Sequence, residues 1–370
     1  MESSPIPLND LAWQWQKIEQ KFMPEFHELV KHGHFCLGPA VDQFEKEFAN
    51  FVNSPEAIAV NSGTSALHLA LIVAGIKPGD KILVPAQTFV ATVWAVLYIG
   101  AIPVLCDVEK DTGNIDIADA EKRLQPGTKA IIPVHLYGQP ANMQKIMAFA
   151  EKNNLIVIED AAQAHGAKFR GKNVGTIGKL GCFSFYPGKN LGALGEAGMI
   201  VTADKALAKR LRSLRHHAQE ERYIHNELGF NYRMEGIQGL ALSHKLAHLT
   251  EWTDMRRHVA KRYLQGLKDL PLTLPEIIHD DHVYHLFVIR TPKRDALRDH
   301  LNAQQIATGL HYPVPLHRQP CLKHLACATK SFPHAENFSS QGLSLPIYSG
   351  MTDTQTDRVI KAIHQFFEKE

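Results

Sequence analysis

The chain has 370 residues, more than twice the roughly 150 of an ordinary domain. Hydrophobic residues make up 45% and charged residues 21%, the balance of an average globular protein. Its 40 basic and 38 acidic residues leave a net charge of +2, which excludes the strongly basic face that binds a nucleic-acid polymer.

Apolar runs are short and interrupted by charge, so no membrane insertion is expected. Met1 to Asp10 lacks the basic start and apolar stretch of a signal peptide. The five cysteines are odd in number and scattered, which predicts a reducing, cytoplasmic setting without disulfides. Cys321, His324 and Cys327 are close together, but no other cysteine or histidine completes a zinc-type spacing, so no metal is expected.

In chain order, Leu11 to Val30 reads as a helical arm, and residues 1–30 as an N-terminal unit. Residues 31–250 form the expected large domain. Strands are predicted at Lys81 to Pro85, Ile102 to Val108, Lys129 to Val134, Leu155 to Glu159, Gly181 to Phe185 and Met199 to Thr202. Helical patterns lie before the first of these strands at Ala66 to Val73, and between later ones at Thr88 to Tyr98 and Asn142 to Lys152. Strands apolar throughout and separated by helices predict a mostly parallel sheet covered on both faces. A basic helix follows at Asp204 to Gln219, then one long helix from Gly236 to Leu267. Residues 251–370 read as a smaller C-terminal α+β domain, with a strand at His285 to Arg290 and helices at Arg294 to Gln304 and Thr352 to Glu368.

Ligands of an open parallel sheet sit at the carboxyl ends of its strands, so the loops there carry the chemistry. Asn61-Ser62-Gly63-Thr64-Ser65 leads into a helix whose free amides can bind an anion. Taken alone, this is an ordinary capped helix. It is neither a P-loop nor a dinucleotide turn. Asp160 ends an apolar strand, where a poorly solvated carboxylate needs a cation or serves as a helix cap. Lys189 lies on a strand-end loop among Pro187, Gly188 and Gly192, 29 residues after Asp160 and 5 after Ser184. A lysine held there can have a lowered pKa and form a Schiff base, or can be a surface lysine on a flexible loop. Lysine, carboxylate and anion cradle together form the pattern that holds pyridoxal phosphate.

These segments resemble the DegT/DnrJ/StrS family of sugar aminotransferases, of the fold-type I (aspartate aminotransferase-like) pyridoxal-phosphate enzymes. The resemblance runs through Phe35 to Pro39, Asn61 to Leu67, Pro85 to Thr92, Glu159 to Gln163, Ser184 to Gly192, Gly229 to Met234 and His311 to His317. It implies an α/β large domain with a smaller C-terminal α+β domain.

The resemblance also implies roles. Lys189 would carry the cofactor and move the proton, and Asp160 would keep its ring nitrogen protonated. Gln163 would bond the ring hydroxyl, and Phe89 would stack on the ring. Gly63, Thr64 and Ser184 would cradle the phosphate. Asn231 would reach that phosphate from a neighbouring subunit, so the resemblance implies a homodimer with shared active sites. Arg233, Tyr186, Tyr312 and His317 would contact substrate; an interface salt bridge is an open alternative for Arg233, and a structural role for the other three.

Two positions bear on activity. The family usually has Gly, an acid, Gly, Gly after the lysine, whereas this chain has Gly195-Glu196-Ala197-Gly198. Branches that dehydrate sugars replace the lysine with histidine, and this chain keeps Lys189. The reaction so implied moves an amino group from L-glutamate to a nucleoside-diphosphate keto sugar, with the cofactor cycling through pyridoxamine phosphate. The lysine loop resembles that of members acting on 3-keto sugars, which favours a dTDP-linked 3-keto-6-deoxyhexose. A UDP-linked 3-keto sugar, a 4-keto nucleotide sugar, a keto-cyclitol and a non-catalytic pyridoxal-phosphate-binding regulator are the alternatives.

Overall fold

Side chains of a strand alternate between the two faces of its sheet, and here both faces are apolar. Ile82, Val84 and Ile158 face one core layer, while Leu83, Val157 and Val201 face the other. The computed structural model describes residues 4–276 and 281–368. Its first half contains α1 (Leu11–His32), α2 (Pro39–Val52), β1 (Glu56–Val60), α3 (Gly63–Val73), β2 (Lys81–Pro85), α4 (Ala91–Tyr98) and β3 (Ile102–Cys106). Next come α5 (Ile117–Arg123), β4 (Thr128–Ile131), α6 (Met143–Lys152), β5 (Ile156–Asp160), the short pair β6 (Lys168–Phe169) and β7 (Lys172–Asn173), β8 (Leu180–Ser184) and β9 (Gly198–Thr202). The chain continues through α7 (Lys205–Leu214), β10 (Gln219–Glu221), β11 (Ile224–His225), α8 (Gly236–Leu246) and α9 (Leu249–Gly266). It ends with β12 (Phe287–Arg290), α10 (Arg294–Ala303), α11 (Pro333–Gln341), β13 (Gly342–Leu345) and α12 (Asp353–Glu368).

Seven strands form one sheet in the order β1-β9-β8-β5-β4-β2-β3. Strand β9 runs antiparallel to both neighbours, and the remaining pairs are parallel. This is the mixed, mostly parallel α/β architecture expected from the apolar strands. A separate cluster, including Val259, Tyr263, Phe287, Leu297, Leu343 and Ile363, joins α9, α10 and α12 to the β12–β13 pair. Helix α1 buries Ile18, Phe22 and Leu29 against Leu240 and Ala241 of α8. Ahead of α1, Ile6 bridges to Ile306, so the first residues join the C-terminal cluster.

Several expected elements differ in extent. The long helix expected over Gly236 to Leu267 is two helices, separated at Ala247 and His248. The break lets α8 pack on α1 and α2 while α9 turns its Val259, Ala260 and Tyr263 onto the C-terminal core. The helix expected from Thr88 begins at Ala91, which leaves Thr88 and Phe89 in a loop. Gly63 rather than Ala66 opens α3, because Ser62 is the cap: its Oγ accepts from the Ser65 N–H. Helix α7 is shorter than expected, starting after Asp204, which caps it through two backbone N–H groups. Strand β1 and helix α5 had no counterpart among the expected elements.

Candidate active site

The carboxyl ends of β5 and β8, the start of α3 and the loop before α4 converge on one cavity of about 640 Å³. Gly63, Thr64, Phe89, Asp160, Gln163, Ser184, Tyr186, Lys189 and Tyr312 all line it. Leu8, Asn9, Thr92, His285 and His311 complete much of its wall.

Asp160 is 5% exposed, and burial raises its carboxyl above the ordinary range. The Thr92 hydroxyl donates to Oδ2 at 2.9 Å and the Ala162 N–H to Oδ1 at 3.2 Å, both opposing that rise. Both hydrogen-bond donors are neutral and Lys189 acts on the carboxylate through its charge, so a protonated ring nitrogen would add a hydrogen-bonded cation. Lys189 follows a turn closed by its own N–H on the Tyr186 carbonyl. Burial lowers its amine to about 8, with the charge of Asp160 acting in the opposite sense.

The loop holding Lys189 is tied down from several sides. Asn9 Nδ2 donates to the Gly188 carbonyl at 3.2 Å. Asn190 Nδ2 donates to the Val283 carbonyl, and Lys245 Nζ to the Gly192 carbonyl at 2.7 Å. Ala197, where the related pattern has glycine, is fully buried in the second core layer, and its carbonyl accepts from the Phe185 N–H.

Gln163 has a defined amide orientation. Its Oε1 accepts from the Tyr137 N–H at 2.7 Å, and its Nε2 donates to the Tyr312 hydroxyl at 3.0 Å. One Nε2 proton remains for a ligand. Phe89 is half exposed, with its ring centroid 5.5 Å from that of Tyr312. The opening N–H groups of α3 have no intrahelical acceptor, and Ser184 stands beside them. Burial keeps His311, at about 4, and His285 well below the ordinary imidazole value, so both are neutral at pH 7.

Three residues named from the sequence lie outside this wall. Asn231 is exposed, and its carbonyl accepts from Asn61 Nδ2. Arg233 is half-buried against His216 Nδ1 at 3.1 Å. His317 is buried, with Nε2 2.9 Å from Glu336 Oε1 and its ring against Phe332. Sequence reasoning had not singled out Asn9, Thr92, Tyr137, His285 or His311 for roles. Only Thr92 carried a local signal, four residues after Thr88 in a helical register.

The donor set fits pyridoxal phosphate. A buried carboxylate (Asp160), an amine of lowered pKa (Lys189), a helix N-terminus beside a serine, an oriented amide and an aromatic ring share one cavity. Among the described residues no group of three or more acidic, cysteine or histidine side chains could hold a metal, and no helix is long and apolar enough to cross a membrane.

Comparison with known proteins agrees. Residues 16–364 match the DegT/DnrJ/EryC1/StrS aminotransferase family. The chain is 42% identical to a dTDP-3-amino-3,4,6-trideoxy-alpha-D-glucose transaminase of Streptomyces venezuelae, over all of this chain and 98% of the relative. It is 41% identical to a UDP-N-acetyl-3-dehydro-alpha-D-glucosamine 3-aminotransferase of Acidithiobacillus ferrooxidans, over 98% of each. The crystal structure of S. venezuelae DesV in complex with a ketimine intermediate superposes with a TM-score of 0.96 at 42% identity, covering 99% of both chains. The chain belongs to the DegT/DnrJ/EryC1/StrS aminotransferase family, and it is a pyridoxal-phosphate-dependent enzyme.

Proposed function

We propose that the protein transfers an amino group from L-glutamate to the keto carbon of a dTDP-linked 3-keto-6-deoxyhexose, releasing 2-oxoglutarate and the 3-amino sugar. The observation that carries this reading is the intact Lys189–Asp160 pair in one cavity, in a chain 42% identical over its whole length to a dTDP-3-amino sugar transaminase.

When bound, the cofactor stores the amine between the two substrates and disperses the electrons left when the donor loses its α-proton. Asp160 would keep the ring nitrogen protonated, and Thr92 and the Ala162 N–H hold that carboxylate in place. The α3 amides at Gly63 and Thr64, with Ser184, hold the phosphate. Phe89 would pack on the cofactor ring, and Gln163 Nε2 would donate to its hydroxyl. Lys189 Nζ is partly unprotonated near pH 8, so it can form the covalent link, and once displaced can take and return the substrate proton. Tyr186 and Tyr312, on the cavity wall, would contact the sugar.

The working unit is a homodimer in which Asn231 completes the partner's phosphate site. Support comes from large apolar side chains left exposed near the cavity (Phe89, Tyr186) and on the projecting segment (Tyr223, Ile224, Leu228). The five free cysteines suit a reducing cytoplasm.

A panel of dTDP- and UDP-linked 3-keto and 4-keto sugars, each with glutamate, tests the assignment by locating the new C–N bond with NMR. Amination at carbon 3 of the dTDP sugar is expected. A preference for a UDP-linked 3-keto sugar is the second reading, favoured by the 41% identical relative. No turnover on any sugar, or amination at carbon 4, overturns the proposal.

A further inference from the structure

Tyr137 grips both sides of the cavity without lining it. Its backbone N–H donates to Gln163 Oε1 at 2.7 Å. Its hydroxyl donates to the backbone carbonyl of His311 and accepts from Gln87 Nε2 at 3.4 Å. His311 is followed in the chain by Tyr312, whose hydroxyl accepts from Gln163 Nε2 at 3.0 Å. The contacts therefore close a circuit: Tyr137 to Gln163, Gln163 to Tyr312, and the segment bearing Tyr312 back to Tyr137. Gln87 braces the same point, with Nε2 3.4 Å from the His311 carbonyl and Oε1 accepting from Ser339 Oγ of α11 at 3.0 Å.

The backbone is bent to make this possible. Tyr137 has φ 59° and ψ 6°, a left-handed conformation uncommon for a bulky residue, and Gly138 follows at φ 92°. A Cβ at Gly138 would lie 2.8 Å from Val283 Cγ2 and 2.9 Å from the His285 nitrogen, so the bend is packed against the segment that enters β12. Such strain persists where surrounding contacts over-determine it, and it concentrates at functional sites. Burial raises the Tyr137 phenol to about 12, so it remains a protonated donor at neutral pH.

We propose that Tyr137 is a positioning residue: it fixes Gln163 and Tyr312 together, so that the amide aimed at the cofactor and the C-terminal segment over it move as one. The proposal rests on the reading of this cavity as the cofactor site. Because the Gln163–Tyr312 bond spans residues 149 apart, nothing local holds it. The His311 carbonyl is where the C-terminal segment is pinned.

The test is a double-mutant cycle on cofactor affinity, with pyridoxal phosphate titrated into the apoprotein and followed by absorbance. Tyr137→Phe keeps the ring and the backbone donor but removes the hydroxyl. Alone it is expected to weaken binding about five- to tenfold, the cost of one buried hydrogen bond. In a Tyr312→Phe background, where the far end of the circuit is already cut, the same change is expected to weaken binding less than twofold. An equal factor in both backgrounds, or no effect in either, overturns the proposal. Gln87→Met, which loosens the same carbonyl from the other side, repeats the cycle if Tyr137→Phe does not fold. Failure of the unsubstituted apoprotein to bind pyridoxal phosphate would overturn the cofactor reading, and this inference with it, and is distinguishable because it appears before any substitution.

Discussion

Gly63 lies so close to Ser184 that a Cβ on the glycine would stand 2.7 Å from the serine Cβ and 3.2 Å from its Cα. The start of α3 and the end of β8 therefore meet in van der Waals contact, and that contact sets the width of the proposed phosphate cradle. Gly63→Ala must part the two elements. Overpacking of this kind costs about 1–3 kcal/mol. With half of that falling on the bound state, pyridoxal phosphate affinity drops about two- to tenfold, measured by absorbance titration of the apoprotein.

Asp160→Asn preserves shape but removes the strand-end carboxylate placed to stabilise a protonated ring nitrogen. Glutamate-driven turnover is expected to fall by about 10²–10³, the magnitude typical of losing one preorganised electrostatic partner. The cofactor is expected to remain bound through the phosphate cradle and Lys189. Steady-state kinetics, with the visible spectrum as a binding control, decide this; turnover within threefold of the parent refutes the role.

Thr92→Val deletes one of the two donors to the Asp160 side chain. The carboxylate then loses stabilisation relative to its protonated form, and its pKa, already raised by burial, moves further up. The expected result is a fall in kcat of about three- to tenfold, greatest at the acidic end of the pH profile and relieved as pH rises. A uniform loss across pH would assign Thr92 to packing instead.

Burial lowers the Lys189 amine from the ordinary 10.5 to about 8. A cation with a lowered pKa is protonated and unreactive below that value and free above it. Reconstitution of the apoprotein with pyridoxal phosphate should therefore quicken about tenfold per pH unit below pH 8 and level off above it. Stopped-flow absorbance from pH 6 to pH 10 checks the profile. Lys189→Ala should abolish transamination, and borohydride should fix the cofactor to the parent protein but not to this variant.

Arg215 and Glu45 form a buried ion pair that braces β1 against α2 and the segment after α7; Glu45 Oε1 also accepts from the Ala59 N–H, and Arg215 donates to the Ala59 carbonyl. Arg215→Met removes the nearer of two cations from Glu45, whose Oε2 keeps Arg212 Nη2 at 3.7 Å, so the cost stays below the ~3–5 kcal/mol of a wholly unpaired buried charge. A clear drop in Tm of the apoprotein is expected, with a smaller drop for the double change Glu45→Gln with Arg215→Met. Equal Tm values for single and double variants would show that the pair is not coupled.

Lys189, Asp160 and Ser184 could be read from the sequence because each closes or follows an apolar strand. A parallel sheet brings the carboxyl ends of such strands to one edge whatever lies between them. Although the strand β1 before them was not among the expected elements, Gly63 and Thr64 were legible differently, as small residues leading into a helix. The split of α8 from α9 was not, since both halves have helical patterns and only the change of packing partner separates them. His317 carries motif-like neighbours, yet a side chain's direction depends on the body it packs against: it turns to Glu336 and Phe332 rather than to the cavity.

The sequence by itself determined the chemistry: an amine, a carboxylate and an anion cradle at strand ends, within a charge balance that leaves room for a small phosphorylated ligand. Tertiary structure alone decided what holds those groups in place. Asn9 meets Gly188 across 179 residues and Tyr137 meets His311 across 174. No periodicity or spacing encodes such contacts, because they arise only when the N-terminal segment and the C-terminal core close around the edge of the sheet.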